Sequence, residues 1–228
     1  MLRRYPVKSM GGEALTSVRL DSRGFVGDRW YAVEDADGRF ASGKTTQRFR
    51  RRDVVFGYAA HTEHGRVIVT CGDQSWRVGD PDLDDELSTA MDTPVRVAEE
   101  GAVPHQDAGQ VSLIGTASLD WCRHHLDVDV DPRRLRPNIV LTTSVPFVEE
   151  TWVGMALHIG TTELHVVELV ERCRMVDLAQ DGVQSATHLL AALEGERDLR
   201  LGIYATVEVP GRISVGDETT VRRIVRSE

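Results

Sequence analysis

The feature that most constrains this chain is its punctuation. Short runs rich in β-branched and aromatic residues recur along it, each closed within a few positions by a Gly, Asp or Pro turn, and such runs read as strands. Residues 14–20 (ALTSVRL) alternate as a half-buried strand and residues 30–33 form another. Asp35-Ala36-Asp37-Gly38 then gives a hairpin signal that returns through Arg39-Phe40. Further strands are expected at 54–59, 66–70, 75–78, 95–98, 139–141, 155–159, 163–169, 201–209, 212–215 and 219–224. Helices are expected near 82–91, over the later stretch where Leu119, Cys122 and Leu126 fall on one face, and at 185–193, with Leu189, Leu190 and Leu193 inward. Many short strands and few short helices predict a mostly β fold of antiparallel β-barrel architecture. At 228 residues the chain can form one large domain or two small barrels sharing a seam.

The net charge of −9 does not invite nucleic acid or an anionic membrane. There is no apolar run long enough to span a bilayer, and Met1-Leu2-Arg3-Arg4-Tyr5-Pro6 lacks the apolar core of a signal peptide, so a cytoplasmic protein is expected. Cys71, Cys122 and Cys173 are widely spaced, which argues against a disulfide framework, a Cys-ligated iron–sulfur cluster or a four-thiolate zinc site. Any redox centre would therefore come from a bound cofactor or a partner. The cluster Arg48-Phe49-Arg50-Arg51-Arg52 reads as a solvated face. Cys71 falls in a turn without a basic neighbour, and Cys122 reads as core. His124 and His125, being adjacent, cannot share a helix face as metal ligands.

Cys173 is set differently. It follows the strand 163–169 (ELHVVEL) and lies between Arg172 and Arg174. Two guanidinium groups beside a thiol suit the thiolate, which attacks electrophiles and binds soft or transition metals. A small buried cysteine is the alternative. Elsewhere, Lys8, Ser9 and the amides freed by Gly11 and Gly12 supply the donor types an anion needs, without the spacing of a P-loop. Asp28-Arg29, after a Gly turn, is either a local ion pair or part of a site. In Arg136-Pro137-Asn138, Pro137 is expected to hold Arg136 extended, so that Arg136 and Asn138 project from a strand entrance suited to an anion.

Five segments in order carry a resemblance: Tyr5-Pro6-Val7-Lys8-Ser9, Gly27-Asp28-Arg29, Arg136-Pro137-Asn138-Ile139, Glu171-Arg172-Cys173, and Tyr204 followed by Pro210-Gly211 and Val215-Gly216-Asp217. Together they resemble the MOSC domain family, which comprises the carboxy-terminal domain of molybdenum-cofactor sulfurases and the mitochondrial amidoxime-reducing component, with bacterial relatives. Residues 1–100 are similar to the family's amino-terminal β-barrel region and 101–228 to the MOSC domain. The resemblance implies a molybdopterin-bound molybdenum whose protein ligand is Cys173. Lys8, Ser9, Arg29, Arg136, Asn138 and Arg172 would hold the pterin and its phosphate, with Ser112 and Tyr204 nearby. Two departures stand out. Reductase relatives often carry a second cysteine where this chain has Val170, and their acidic-Pro-acidic-Thr-Gly loop is replaced by residues 175–182, MVDLAQDG.

Three function classes follow. The first is an oxidoreductase acting on an N-hydroxylated or similar N–O small-molecule substrate. Its electrons would come from an external donor protein of flavin, haem or ferredoxin type, because the chain carries no recognisable module of that kind. Arg172 and Arg174 would then stabilise negative charge on the departing oxygen. The second is a sulfurtransferase that carries a persulfide on Cys173, and the third is a non-catalytic carrier of the cofactor.

Overall fold

A computed structural model describes residues 1–224 other than 129 and 187. The chain opens with β1 (Leu2–Arg4), β2 (Glu13–Leu15), β3 (Ser17–Asp21) and β4 (Gly24–Phe25). Next come β5 (Tyr31–Asp35), β6 (Phe40–Ser42), β7 (Phe49–Arg51), β8 (Ala59–Glu63), β9 (Arg66–Cys71), β10 (Gln74–Arg77), α1 (Pro81–Met91) and β11 (Val95–Glu99). After a connector the chain forms β12 (Val111–Gly115), α2 (Thr116–His125), α3 (Pro132–Leu135) and β13 (Ile139–Leu141). It ends with β14 (Met155–Ile159), β15 (Thr162–Glu171), α4 (Leu189–Arg197), β16 (Arg200–Val209), β17 (Gly211–Ser214) and β18 (Thr219–Arg223). The fold is mostly β, as the punctuation predicts.

The largest sheet has the order β18-β14-β15-β16-β12-β13-β1-β2, and three smaller ones run β10-β9-β8, β11-β5-β6-β7 and β17-β3-β4. Pairing is antiparallel except for β12 with β13 and β6 with β7. Strands from both sides of residue 100 share the largest sheet, and β17 pairs with β3. The inward residues of these two sheets, among them Leu20, Phe25, Leu113, Leu157, Leu164 and Ile203, form one core. A second core gathers Val7, Met10, Val55, Phe56, Val69, Leu83 and Leu87 under α1. A third packs α2, α3 and α4 through Leu119, Cys122, Leu135, Leu189 and Leu193, so Cys122 is a core residue. Burial on this scale is the main stabilising term, about 25 cal/mol per Å² of apolar surface.

Several sequence expectations change. Residues 54–59 are not a strand: Asp53–Gly57 is a 3-10 turn. Val55 and Phe56 are both buried, which an alternating strand cannot achieve against one core, and Asp53 is pinned by Arg174. The strand expected at 14–20 breaks at Thr16, because β2 pairs with β1 while β3 belongs to another sheet. The helix expected at 185–193 begins at Leu189 and runs to Arg197. Asp177 fixes its entrance, accepting Ala186 N–H on its carbonyl and Leu190 N–H on its carboxylate. Thr187, within the expected helix, lies outside the described residues. Cys71 is the last residue of β9 rather than part of the turn, and it packs half-buried against the second core.

Candidate cofactor site

Local chain geometry builds the site from four directions. The ten-residue β15 carries register shifts against β16 and delivers Cys173 two residues past its end. There Cys173 is extended (φ −127°, ψ 177°), and its carbonyl accepts Val176 N–H (3.1 Å), which starts the next turn. The parallel pairing of β12 with β13 sets Leu113 opposite Ile139, and so brings Ser112 beside Asn138. The segment after β1 contributes Lys8 and Ser9, and the turn after β4 contributes Arg29. These walls enclose a cleft of about 420 Å³. Lys8, Ser9, Arg29, Ser112, Arg136, Asn138, Arg172, Cys173 and Tyr204 all line it.

Arg136 departs from expectation in conformation. It is left-handed (φ 53°), not extended, and its N–H bonds to the Pro132 carbonyl as the cap of α3. Asp131 caps the other end of α3 through Arg133 N–H (2.9 Å), and Pro132 occupies its first turn. Pro137 bars right-handed helix at the preceding residue, and the chain turns left-handed rather than extending. The side chain is 4% exposed, and neither Nη1 nor Nη2 has a hydrogen-bond partner among the described residues. Burial lowers its guanidinium to about 10, which still leaves it charged at neutral pH.

The remaining polar groups divide into those committed to the fold and those that face the cleft. Ser112 and Asn138 satisfy each other: Ser112 N–H donates to Asn138 Oδ1 (3.1 Å), and Asn138 N–H to the Ser112 carbonyl (2.8 Å). Ser9 Oγ donates to the Ala41 carbonyl (3.0 Å). Arg29 pairs with its neighbour Asp28, as a local ion pair would, and it also lines the cleft. Arg172 is buried and donates to the carbonyls of Leu201 (2.9 Å from Nε) and Leu135 (2.8 Å from Nη1). It forms no ion pair among the described residues, so its charge remains uncancelled beside Cys173. Arg174 does not serve the site as expected. It is absent from the cleft lining, and its guanidinium is bound to Asp53 (2.7 and 2.9 Å) and the Gly43 carbonyl (2.9 Å).

The glycine cradle also fails as drawn. Gly11 N–H bonds to the Tyr58 carbonyl (2.8 Å) and is not free for an anion, and Gly12 serves close approach, since a Cβ there would stand 2.5 Å from the Tyr5 ring. Sequence reasoning missed Lys44, Asp107 and Arg134, which also line the cleft. Asp107 Oδ1 lies 3.2 Å from Lys8 Nζ and 3.6 Å from Lys44 Nζ. Burial lowers the Lys8 ammonium to about 8, with Asp107 opposing. Desolvation alone would raise Asp107, but Lys8 and Lys44 outweigh it and bring it to about 2. Desolvation pushes the Tyr204 phenol up, so it keeps its proton. The Arg48–Arg52 run is only partly solvated: Arg48 grips the carbonyls of Pro104, Gln106 and Asp107, which holds the connector over the cleft.

Among the described residues, no group of three His, Cys, Asp or Glu side chains is placed to hold a metal unaided. Fold and site thus define a strand-built protein with a cationic cleft that presents one thiol, suited to an anionic ligand. Residues 100–220 match the MOSC domain and residues 1–108 the MOSC N-terminal beta barrel domain, and the chain belongs to the MOSC family. It is 26% identical over 234 residues to a molybdenum cofactor sulfurase of Caenorhabditis briggsae, covering 88% of this chain and 32% of that protein. Over 128 residues it is 30% identical to mitochondrial amidoxime reducing component 2 of Bos taurus, covering 50% and 38%. The chain therefore spans about a third of the length of these curated relatives. In fold it resembles the YUAD protein from Bacillus subtilis, with a TM-score of 0.56 at 14% identity over 98% of this chain and 94% of that one. No helix among the described residues is long and apolar enough to cross a membrane.

Proposed function

We propose that the cleft binds a molybdenum–pterin cofactor and that the protein is an oxidoreductase for N–O compounds. The observation that carries the reading is Arg136: a buried guanidinium with both Nη atoms unpaired among the described residues, opening on the same cleft as Cys173. A buried cation without hydrogen bonds is costly unless an anion completes it, and a phosphate matches the planar fork. The donor set fits the cofactor. Arg136, Lys8 and Arg29 would take the phosphate, Tyr204 and Arg172 the polar rings, and the Cys173 thiolate the metal.

When bound, the cofactor supplies a metal able to remove oxygen from nitrogen with two electrons. For a hydroxylamine the balance is R–NHOH plus two electrons and two protons giving R–NH2 and water, the electrons coming from an external flavin, haem or ferredoxin-type protein. The uncancelled Arg172 charge steadies an anion beside Cys173. Tyr204, still protonated, can donate a proton within the cleft.

With reduced viologen as donor, cofactor-loaded protein should convert an amidoxime to the amidine, and Cys173→Ala should not. If no turnover appears, and labelled persulfide instead accumulates on Cys173 after incubation with a cysteine desulfurase and cysteine, the oxidoreductase reading is overturned in favour of sulfur transfer.

A further inference from the structure

We infer that Tyr5 is a positioning residue for anion binding: its ring holds Arg136 by its π-face and so leaves both Nη groups available. This rests on the reading of Arg136 as a cofactor-phosphate ligand and goes one layer beneath it. The question is how a buried guanidinium stays in place with no hydrogen bond to its Nη atoms. Three other arginines nearby are held by carboxylates, Arg3 by Asp181, Arg29 by Asp28 and Arg174 by Asp53. A carboxylate partner would cancel the charge of Arg136 and occupy its donors. An aromatic face attracts the cation through its quadrupole and uses no N–H.

Tyr5 is placed to do this. It is fully buried, and Arg136 Cζ lies 4.2 Å from the ring centroid, with Arg29 Cζ at 5.0 Å and Arg3 Cζ at 5.8 Å. The ring is itself fixed. Tyr5 N–H donates to Asp28 Oδ1 (2.7 Å), its carbonyl accepts Arg29 N–H (2.7 Å), and its hydroxyl donates to the Pro137 carbonyl (3.5 Å), next to Arg136. Gly12 is what lets the ring lie flat, since a Cβ there would meet Tyr5 Cδ1 at 2.5 Å. Burial raises the Tyr5 phenol despite the three arginines, so the ring is a neutral platform and not a phenolate counter-ion.

The test replaces Tyr5 with phenylalanine and then with progressively fluorinated phenylalanines, which keep the ring's shape and drain its quadrupole. Affinity for phenyl phosphate is read by titration calorimetry on the full chain, with the melting temperature recorded alongside. Tyr5→Phe keeps the π-face, loses only the long hydroxyl contact to Pro137, and is the reference for the series. Heavier fluorination should weaken binding stepwise, by about tenfold to thirtyfold for full fluorination, given the strength of a desolvated cation–π contact. In an Arg136→Gln background, fluorination should have a much smaller effect, left to the more distant Arg29 over the same ring. Affinity that follows Arg136 but ignores fluorination would overturn the platform. Phenyl phosphate binding that is absent, or indifferent to Arg136→Gln, would overturn the phosphate site itself.

Discussion

Lys8 makes phosphate affinity a function of pH, and the size of the effect follows from its burial. The ammonium has a pKa of about 8 in the folded protein, whereas an unfolded lysine titrates near 10.4. A phosphate monoester has its second pKa near 6, so its charge is constant above pH 7. Arg136, at about 10, stays charged to pH 9. If the bound state keeps Lys8 protonated, affinity scales with the protonated fraction in the free protein. That fraction falls from about 0.9 at pH 7 to about 0.1 at pH 9, so the dissociation constant of phenyl phosphate should rise about tenfold, roughly 1.4 kcal/mol. Titration calorimetry at both pH values measures it, and the complex should take up a proton at pH 9. In Lys8→Met, affinity should be lower at pH 7 and nearly flat to pH 9. For folding the sign is opposite: between pH 8 and 10.4 the unfolded chain holds a proton that the folded one has released. The Lys8 contribution to stability therefore rises with pH through that window, by roughly 3 kcal/mol in all. A parent profile flat from pH 7 to 9, or the same slope in Lys8→Met, would refute the argument.

Arg136→Glu should abolish cofactor retention on gel filtration while leaving the melting temperature within a few degrees of the parent, whereas Arg66→Glu on the exposed face of β9 should retain it. Asp53→Ala removes both carboxylate contacts of Arg174, a partly exposed pair, and should cost about 1 kcal/mol in denaturant unfolding. It should also lower molybdenum occupancy, because it frees the turn that follows Cys173. Gly12→Ala drives a Cβ into the Tyr5 ring and the Arg4 carbonyl and should destabilise by about 1–3 kcal/mol in the same assay.

What was legible in the sequence follows physical lines. Strands such as β9, β14 and β16 are legible because turn residues bracket them, and α1 is legible near 82–91, its start set by the Asp80 cap and Pro81. Residues 54–59 were not, since β-branched residues favour strands locally while the Asp53–Arg174 pair is a contact across 121 positions. The site's residue types were legible at Lys8, Arg29, Arg136, Arg172 and Cys173, which converge on one cleft. Their states were not. Nothing beside Arg174 shows that Asp53 will take it, and nothing beside Arg136 shows that Tyr5 will face it while both Nη groups stay unpaired among the described residues. Asp107 lies in a polar connector, and its meaning comes from Lys8, 99 positions away, and from Lys44.

The central claim is that Cys173 holds a metal carried by an anionic cofactor in this cleft, and elemental analysis together with pterin quantitation of single cysteine variants tests it most directly. Protein made in a host competent for molybdenum-cofactor synthesis should contain molybdenum and pterin in near-equal amounts. Cys71→Ala and Cys122→Ala should keep both in their folded fractions, and Cys173→Ala should lose most of the molybdenum. Full molybdenum in Cys173→Ala, or a parent protein holding neither molybdenum nor pterin, would contradict the account.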